Sequence, residues 1–178
     1  MEDISVFFKN EYRGCATSQT DLKEVLPPYL ENWGWKGSAD DFLQYWFASD
    51  CELDQEVLKT VQELRDRGII VALATNNEKY RMEYILRVAG LEEYFDKIFA
   101  SCDIGHKKPS PEFFEGVMRD LPSIRKKEVL FWDSDKDIVD GAREFGIQAE
   151  HFVEFGKYEE MMKKYLEGNL PSSKERRQ

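Results

Sequence analysis

At 178 residues the chain is long enough for one well-buried domain, or for a domain with a small appendage. A hydrophobic fraction of 42% with 13% aromatic residues supplies a core and excludes a disordered chain. The net charge of −10 excludes general binding to nucleic acid or to an anionic membrane, so an anionic ligand needs a local basic group. Cys15, Cys51 and Cys102 are odd in number and lack CxxC spacing, which predicts free thiols in a reducing compartment. No secretory leader pattern opens the sequence and no apolar run is long enough to span a bilayer. A cytoplasmic protein is expected.

In chain order, residues 4–47 are aromatic-rich and predict short helices over 4–12, 21–30 and 39–47. Ser18 precedes Asp21, and Ser38 precedes Asp41, in S-x-x-D arrangements that signal helix starts, while Pro27 and Pro28 disturb the second helix near its end. The aromatic cluster (Phe7, Phe8, Tyr12, Trp33, Trp35, Phe42, Tyr45, Trp46) suits packing between helices better than ligand stacking. A boundary is expected near 49–54, giving a helical segment 1–50, an α/β core 51–166 and a flexible tail 167–178. Past it, Val57, Leu58, Val61 and Leu64 make one face of a helix that ends at Gly68, and 69–74 (IIVALA) reads as a buried strand followed by Thr75, Asn76 and Asn77. A helix over 78–89 stops at Gly90, a strand over 97–100 follows, and Ser110 with Pro111 caps a helix through Met118. The closing elements are a strand over 129–132, a helix to Gly146, an edge strand within 147–152 and a helix over 158–166. This alternation predicts an α/β fold with a doubly wound parallel sheet.

The stretch VLFWDSDKD, residues 129–137, is an apolar run ending in carboxylates. Ligands of open α/β sheets bind outside the carboxyl ends of the strands, which makes Asp133 the best-placed carboxylate of the chain. Two competing readings are an acidic helix start and a calcium loop, since Asp133, Asp135, Asp137 and Glu144 match ligand positions of an EF-hand. The calcium reading fails on Ile138, where that loop needs glycine, and on the strand that precedes it.

Three loops at strand ends thus carry Thr75 with Asn76, Lys108, and Asp133. A hydroxyl with neighbouring amides can hold phosphoryl oxygens, a lysine can neutralise phosphate charge, and a carboxylate can ligate magnesium. In these residues and their order the chain resembles the haloacid dehalogenase superfamily of aspartate-nucleophile hydrolases. VALATNN is similar to that family's second motif with Thr75 in the Ser/Thr place, GHKKPSPEFF to its third with Lys108 as the lysine, and VLFWDSDKD to its fourth with Asp133 as the metal carboxylate. The segment from FFKNEYRGCATSQTDL through DDFLQYWF resembles the small helical cap of one branch.

The resemblance implies a Rossmann-like sheet, a magnesium-dependent phosphatase-type reaction on a small phosphorylated metabolite, catalytic roles for Lys108 and Thr75, substrate contacts from Thr75, Asn76 and Lys108, and Mg2+ at Asp133. It also implies a first motif, an apolar strand ending in D-x-D that supplies the nucleophile. No such strand lies ahead of the helical segment, and Asp3 has no apolar run before it. The fourth motif departs too, with Ser134 where a second acid is common. The sequence therefore predicts a sheet lacking its first strand, through truncation, start-site choice or genuine loss, and a hydrolase that is incomplete or inactive. A phosphate- or metabolite-binding or protein-interaction module on the same fold is the alternative, and an enzyme using another acid is the third reading. The two strands flanking the missing one are expected to pair directly, 69–74 with 129–132, and lost core surface gives a reason for self-association.

Overall fold

The structure, a computed structural model, describes residues 4–169 and divides between Ile124 and Arg125 into two compact units. The first unit opens with five short helices: α1 (Ile4–Lys9), α2 (Glu11–Cys15), α3 (Leu22–Val25), α4 (Pro27–Trp33) and α5 (Ala39–Ser49). Their boundaries follow local chemistry. Pro27 and Pro28 do not end a helix but begin α4 at its first positions, where no backbone N–H is required. Ser38 and Asp41 form the expected capping box, with Ser38 N donating to Asp41 Oδ2 at 2.9 Å and Asp41 N to Ser38 Oγ at 3.1 Å. At the other S-x-x-D site Asp21 itself is the cap, accepting from Lys23 N at 2.9 Å, whereas Ser18 sits at φ 56° and donates its hydroxyl to Cys102 O at 2.8 Å.

Of the aromatic residues expected to pack, Phe7 is buried and Tyr12, Trp33, Trp35, Phe42 and Trp46 are partly buried against the same core, whereas Phe8 and Tyr45 are exposed, 37% and 61%. Phe7, Leu22 and Leu26 are essentially solvent-free, and Phe7 meets Tyr29 and Trp33 edge-on with ring centroids 5.1 and 5.6 Å apart. Each such side chain contributes about 1.5–3 kcal/mol through burial, with edge-to-face pairs adding to it.

Asp54 caps α6 (Gln55–Asp66) through Glu56 N and Val57 N, and Leu58, Val61 and Leu64 bury its apolar face. Strand β1 (Ala72–Thr75) pairs in parallel with β2 (Lys97–Ala100), in the register Ala72 to Lys97 through Thr75 to Ala100. It starts three residues later than the apolar run because Val71 N donates to the Asp96 carboxylate at 2.9 Å rather than to a neighbouring strand. Between the strands, α7 (Lys79–Glu83) passes into a π-helical turn over Tyr84–Val88, closed by Ala89 N donating to Tyr84 O at 3.0 Å, where one α-helix is predicted. Helices α8 (Ser101–Ile104) and α9 (Pro111–Arg119) complete this unit, with Ser110 as the expected cap of α9. The helical segment is fastened to α7 by Asp21, which receives Lys79 Nζ at 2.5 Å and the Tyr80 hydroxyl at 3.0 Å, and by the Phe47–Tyr84 ring contact.

The second unit contains β3 (Leu130–Asp133), α10 (Lys136–Phe145), β4 (Gln148–His151) and α11 (Phe155–Asn169). β3 and β4 are parallel, Leu130 opposite Gln148 and Asp133 opposite His151. Val139 and Ala142 are the buried face of α10, and Gly146 ends it in the left-handed conformation at φ 98°. Tyr158 of α11 is buried with its ring 4.8 Å from that of Trp132. The expected tail 167–178 begins inside α11, and from residue 170 onward lies outside the described residues.

Parallel strands alternating with helices confirm the α/β class, but two expectations are corrected. The described strands form two two-stranded sheets, β1 with β2 and β3 with β4, so the direct ladder between 69–74 and 129–132 is not formed. β1 pairs with β2 and β3 with β4, in each case across one helix-bearing connection, a short loop to close. The strands read as buried runs are also half-exposed: no residue of β1 or β3 is fully buried, and Ile70, just before β1, is 54% exposed. Parallel strands are ordinarily covered on both faces by packed helices, and these strands are covered only in part.

Candidate phosphoryl-binding site

The loop after β1 and the loop before α9 are built around one lysine. Lys108 is buried, 9% exposed, and its Nζ donates to Ala74 O at 2.8 Å, beside the carboxyl end of β1. Its backbone is held by the Asn76 side chain in a reciprocal pair: Lys108 N donates to Asn76 Oδ1 at 2.8 Å, and Asn76 Nδ2 donates to Lys108 O at 2.9 Å. The primary amide thus acts as a one-residue ladder between two loops, satisfying both backbone polar groups of Lys108. Gly105 at φ 81° reverses the chain after α8, and Ser110 N bonds back to Lys107 O at 2.8 Å, so the lysine loop is short and closed.

Thr75 ends β1 and its Oγ1 accepts from Asn77 Nδ2 at 2.8 Å. The hydroxyl accepts this bond and keeps its proton to donate elsewhere. The structure therefore brings Thr75, Asn76 and Lys108 together at one strand end, in the order their loops predict. What they offer is a hydroxyl donor and an ammonium, groups that complement phosphoryl oxygens.

Asp133 ends β3 in the second unit, and its Oδ1 accepts from Asp135 N at 2.9 Å. Asp135 repeats this one turn on, accepting from Asp137 N at 2.9 Å as the cap of α10. His151 Nε2 lies 3.0 Å from Ser134 O. The acidic loop is thus a run of side-chain-to-backbone turns opening a helix, preceded by a strand where an EF-hand needs a helix. Among the described residues no three His, Cys, Asp or Glu side chains gather as metal ligands. Asp133 thus offers one carboxylate, and magnesium is commonly held by one or two carboxylates together with water and substrate phosphates.

Two groups escaped the sequence reading. Glu78 is buried, 1% exposed, and caps α7 by accepting from Tyr80 N at 2.7 Å and Arg81 N at 2.5 Å, while burial pushes its carboxyl above the ordinary range. Its signal was only a carboxylate at a predicted helix start. Arg13 shares an open depression with Lys107 and Lys108, and nothing in EYRGC marks that arginine as functional.

Solved structures share this fold. A wild-type HAD family enzyme from Bacteroides thetaiotaomicron, complexed with magnesium and inorganic phosphate, matches with a TM-score of 0.68 at 22% identity over 82% of this chain and 79% of that one. A predicted HAD-like family hydrolase from Porphyromonas gingivalis matches with a TM-score of 0.77 at 18% identity over 93% of this chain and 83% of that one. By sequence, the chain is 31% identical over 87 residues to pyrophosphatase PpaX of Bacillus thuringiensis (strain Al Hakam), a match covering 49% of this chain and 40% of the relative. The chain spans about two fifths of the length of the curated relatives it matches. The model for haloacid dehalogenase-like hydrolases matches residues 21–146, and the chain belongs to that family.

Proposed function

We propose that Thr75, Asn76 and Lys108 form the phosphoryl-holding part of a phosphatase-type site for a small phosphorylated metabolite, and that these 178 residues alone hydrolyse phosphate monoesters negligibly. The observation that carries the reading is the Lys108 ammonium, fixed at the carboxyl end of β1 by Ala74 O and by the two-bond Asn76 clamp. A cation held in this way loses little freedom when an anion arrives, so its charge is directed at the phosphoryl oxygens rather than dispersed over a mobile side chain. The Thr75 hydroxyl adds a donor from the adjoining residue.

Negligible turnover follows from the absence of an assigned nucleophile. Lysine and threonine in these places stabilise charge and orient a phosphoryl group, and neither supplies the covalent step of aspartate-based hydrolysis. In this reading the helical segment 1–50 is a cap, Asp133 is the carboxylate at which magnesium is sought, and the compartment is cytoplasmic. No described helix is long and apolar enough to cross a membrane.

Titration with inorganic phosphate, with and without magnesium, tests the reading together with hydrolysis of a chromogenic phosphate ester and a panel of sugar phosphates. Phosphate binding is expected in the wild type and about tenfold or more weaker in Lys108→Ala, as for loss of a charge-assisted contact. Equal binding by the variant overturns the assignment of Lys108. Robust turnover that disappears in Asp133→Asn overturns the inactivity and requires a nucleophile elsewhere in the chain.

A further inference from the structure

The depression beside Lys108 is wider than one phosphoryl group needs. It has a volume of about 580 Å³ and is lined by Arg13, Lys107, Lys108, Pro109, Ser110 and Pro111. Arg13 follows α1 in the helical segment and Lys107 belongs to the lysine loop, so two parts of the chain distant in sequence each contribute a cation to one concavity. Lys107 is partly buried, and both that burial and the neighbouring Arg13 charge push its ammonium below the ordinary range. Among the described residues no carboxylate forms an ion pair with either side chain. The nearest acid on α9, Glu112, is engaged with the Ser110 side chain and its own backbone N–H, and has His106 beside it.

Two like charges lining one open depression repel each other, and an opposite charge arriving between them relieves that repulsion. The N-terminus of α9, with Ser110 as its cap, adds further positive potential at the same wall. A guanidinium fork beside an ammonium matches a phosphate or carboxylate better than any neutral group.

We propose that Arg13 and Lys107 form a second anion subsite, which takes a further phosphoryl or carboxylate group of the ligand whose phosphoryl group Lys108 holds. This rests on the assignment of Lys108 made above, and it narrows the ligand class to small metabolites carrying two anionic groups, diphosphates among them. Such a ligand spans both cations, and a singly charged phosphate ester fills only half of the site.

Isothermal titration with inorganic pyrophosphate and with inorganic phosphate, using wild type, Arg13→Gln, Lys107→Gln and Lys108→Ala, decides the matter. Pyrophosphate is expected to bind wild type about tenfold more tightly than phosphate, with most of that advantage lost in Arg13→Gln and in Lys107→Gln while phosphate affinity stays within about twofold. Arg13 is exposed and Lys107 half-buried, so unchanged thermal melting of both variants is expected and separates local from global effects. If phosphate binds but pyrophosphate binds no more tightly, or if both glutamine variants keep the pyrophosphate advantage, the subsite is overturned and Lys108 stands. If phosphate binding ignores Lys108→Ala while pyrophosphate binding still depends on Arg13 and Lys107, the Lys108 assignment falls and the subsite stands alone.

Discussion

The loop around Lys108 and the loop around Asp133 both sit at the carboxyl end of a parallel strand and both lead into a helix, yet they are held in different ways. The lysine loop is fastened to another loop by buried or part-buried hydrogen bonds between residues more than thirty apart in sequence, from Asn76 to Lys108 and from Lys108 to Ala74. The acidic loop is held by short-range turns, Asp133 to Asp135 N and Asp135 to Asp137 N, in exposed surroundings. Long-range bonds in a buried place are formed only when the fold is, and they fix a side chain rigidly. Local turns at a helix start form almost independently of the rest of the chain. The difference teaches that the cationic loop owes its geometry to tertiary structure, whereas the acidic loop is shaped first by helix capping.

The largest effect that sharpens this contrast is expected at Asn76. Asn76→Ala removes both bonds of the clamp and leaves the Lys108 N–H and C=O without their partners, at a cost of about 2–6 kcal/mol, from roughly 1–3 kcal/mol for each unsatisfied buried group. Urea denaturation measures it. A loss below about 0.5 kcal/mol, the usual range of surface changes, shows that water replaces the amide and that the loop is not tertiary in origin.

A smaller loss is expected at Asp135, the cap of α10. Asp135→Ala removes an exposed acceptor for Asp137 N, and caps of this kind contribute about 1 kcal/mol. The same denaturation measurement applies, and Asp135→Ser, which keeps a capping oxygen, is expected to recover most of the loss. A cost equal to that of Asn76→Ala breaks the comparison, because it makes the acidic loop as dependent on the fold as the basic one.

How much of this was legible in the sequence follows the same division. Local chemistry was readable: the capping box at Ser38, the proline start of α9 after Ser110, and the glycine end of α10 at Gly146 all stand where the residue types put them. Thr75, Asn76 and Lys108 were legible as an ordered set of loop residues, since strand ends are where such groups collect. The clamp that joins them was not, because a hydrogen bond between residues 32 apart leaves no periodicity to find. Strand burial was misread for a related reason. An apolar run such as IIVALA reports what a strand is suited to pack against, and the layers that pack on its two faces decide how much is actually covered. The Arg13–Lys107 pairing was invisible, since a lone arginine in a helix ordinarily signals solvent.

The smallest effect concerns Glu78, which lies a few residues past Thr75 and is the buried acidic group of the first unit. Its carboxyl is pushed above the ordinary 4.5, chiefly by burial, with the Asp21 charge acting in the same direction and the Tyr80 and Arg81 backbone N–H groups opposing. A carboxyl whose folded value is raised binds its proton more tightly in the native state than in the unfolded one. Its contribution to stability is therefore full below the unfolded value and lost as pH rises through the folded value, the reverse of a salt-bridged carboxylate. Glu78→Gln keeps one carbonyl oxygen for the α7 cap and cannot ionise. The wild type is expected to lose stability relative to this variant between about pH 5 and about pH 8. Urea midpoints at both pH values measure it. A wild-type advantage that grows with pH over that range means that the Tyr80 and Arg81 N–H groups outweigh burial, and it makes the start of α7 a second place where backbone donors, like the α9 N-terminus beside Arg13 and Lys107, favour negative charge near the phosphoryl loop.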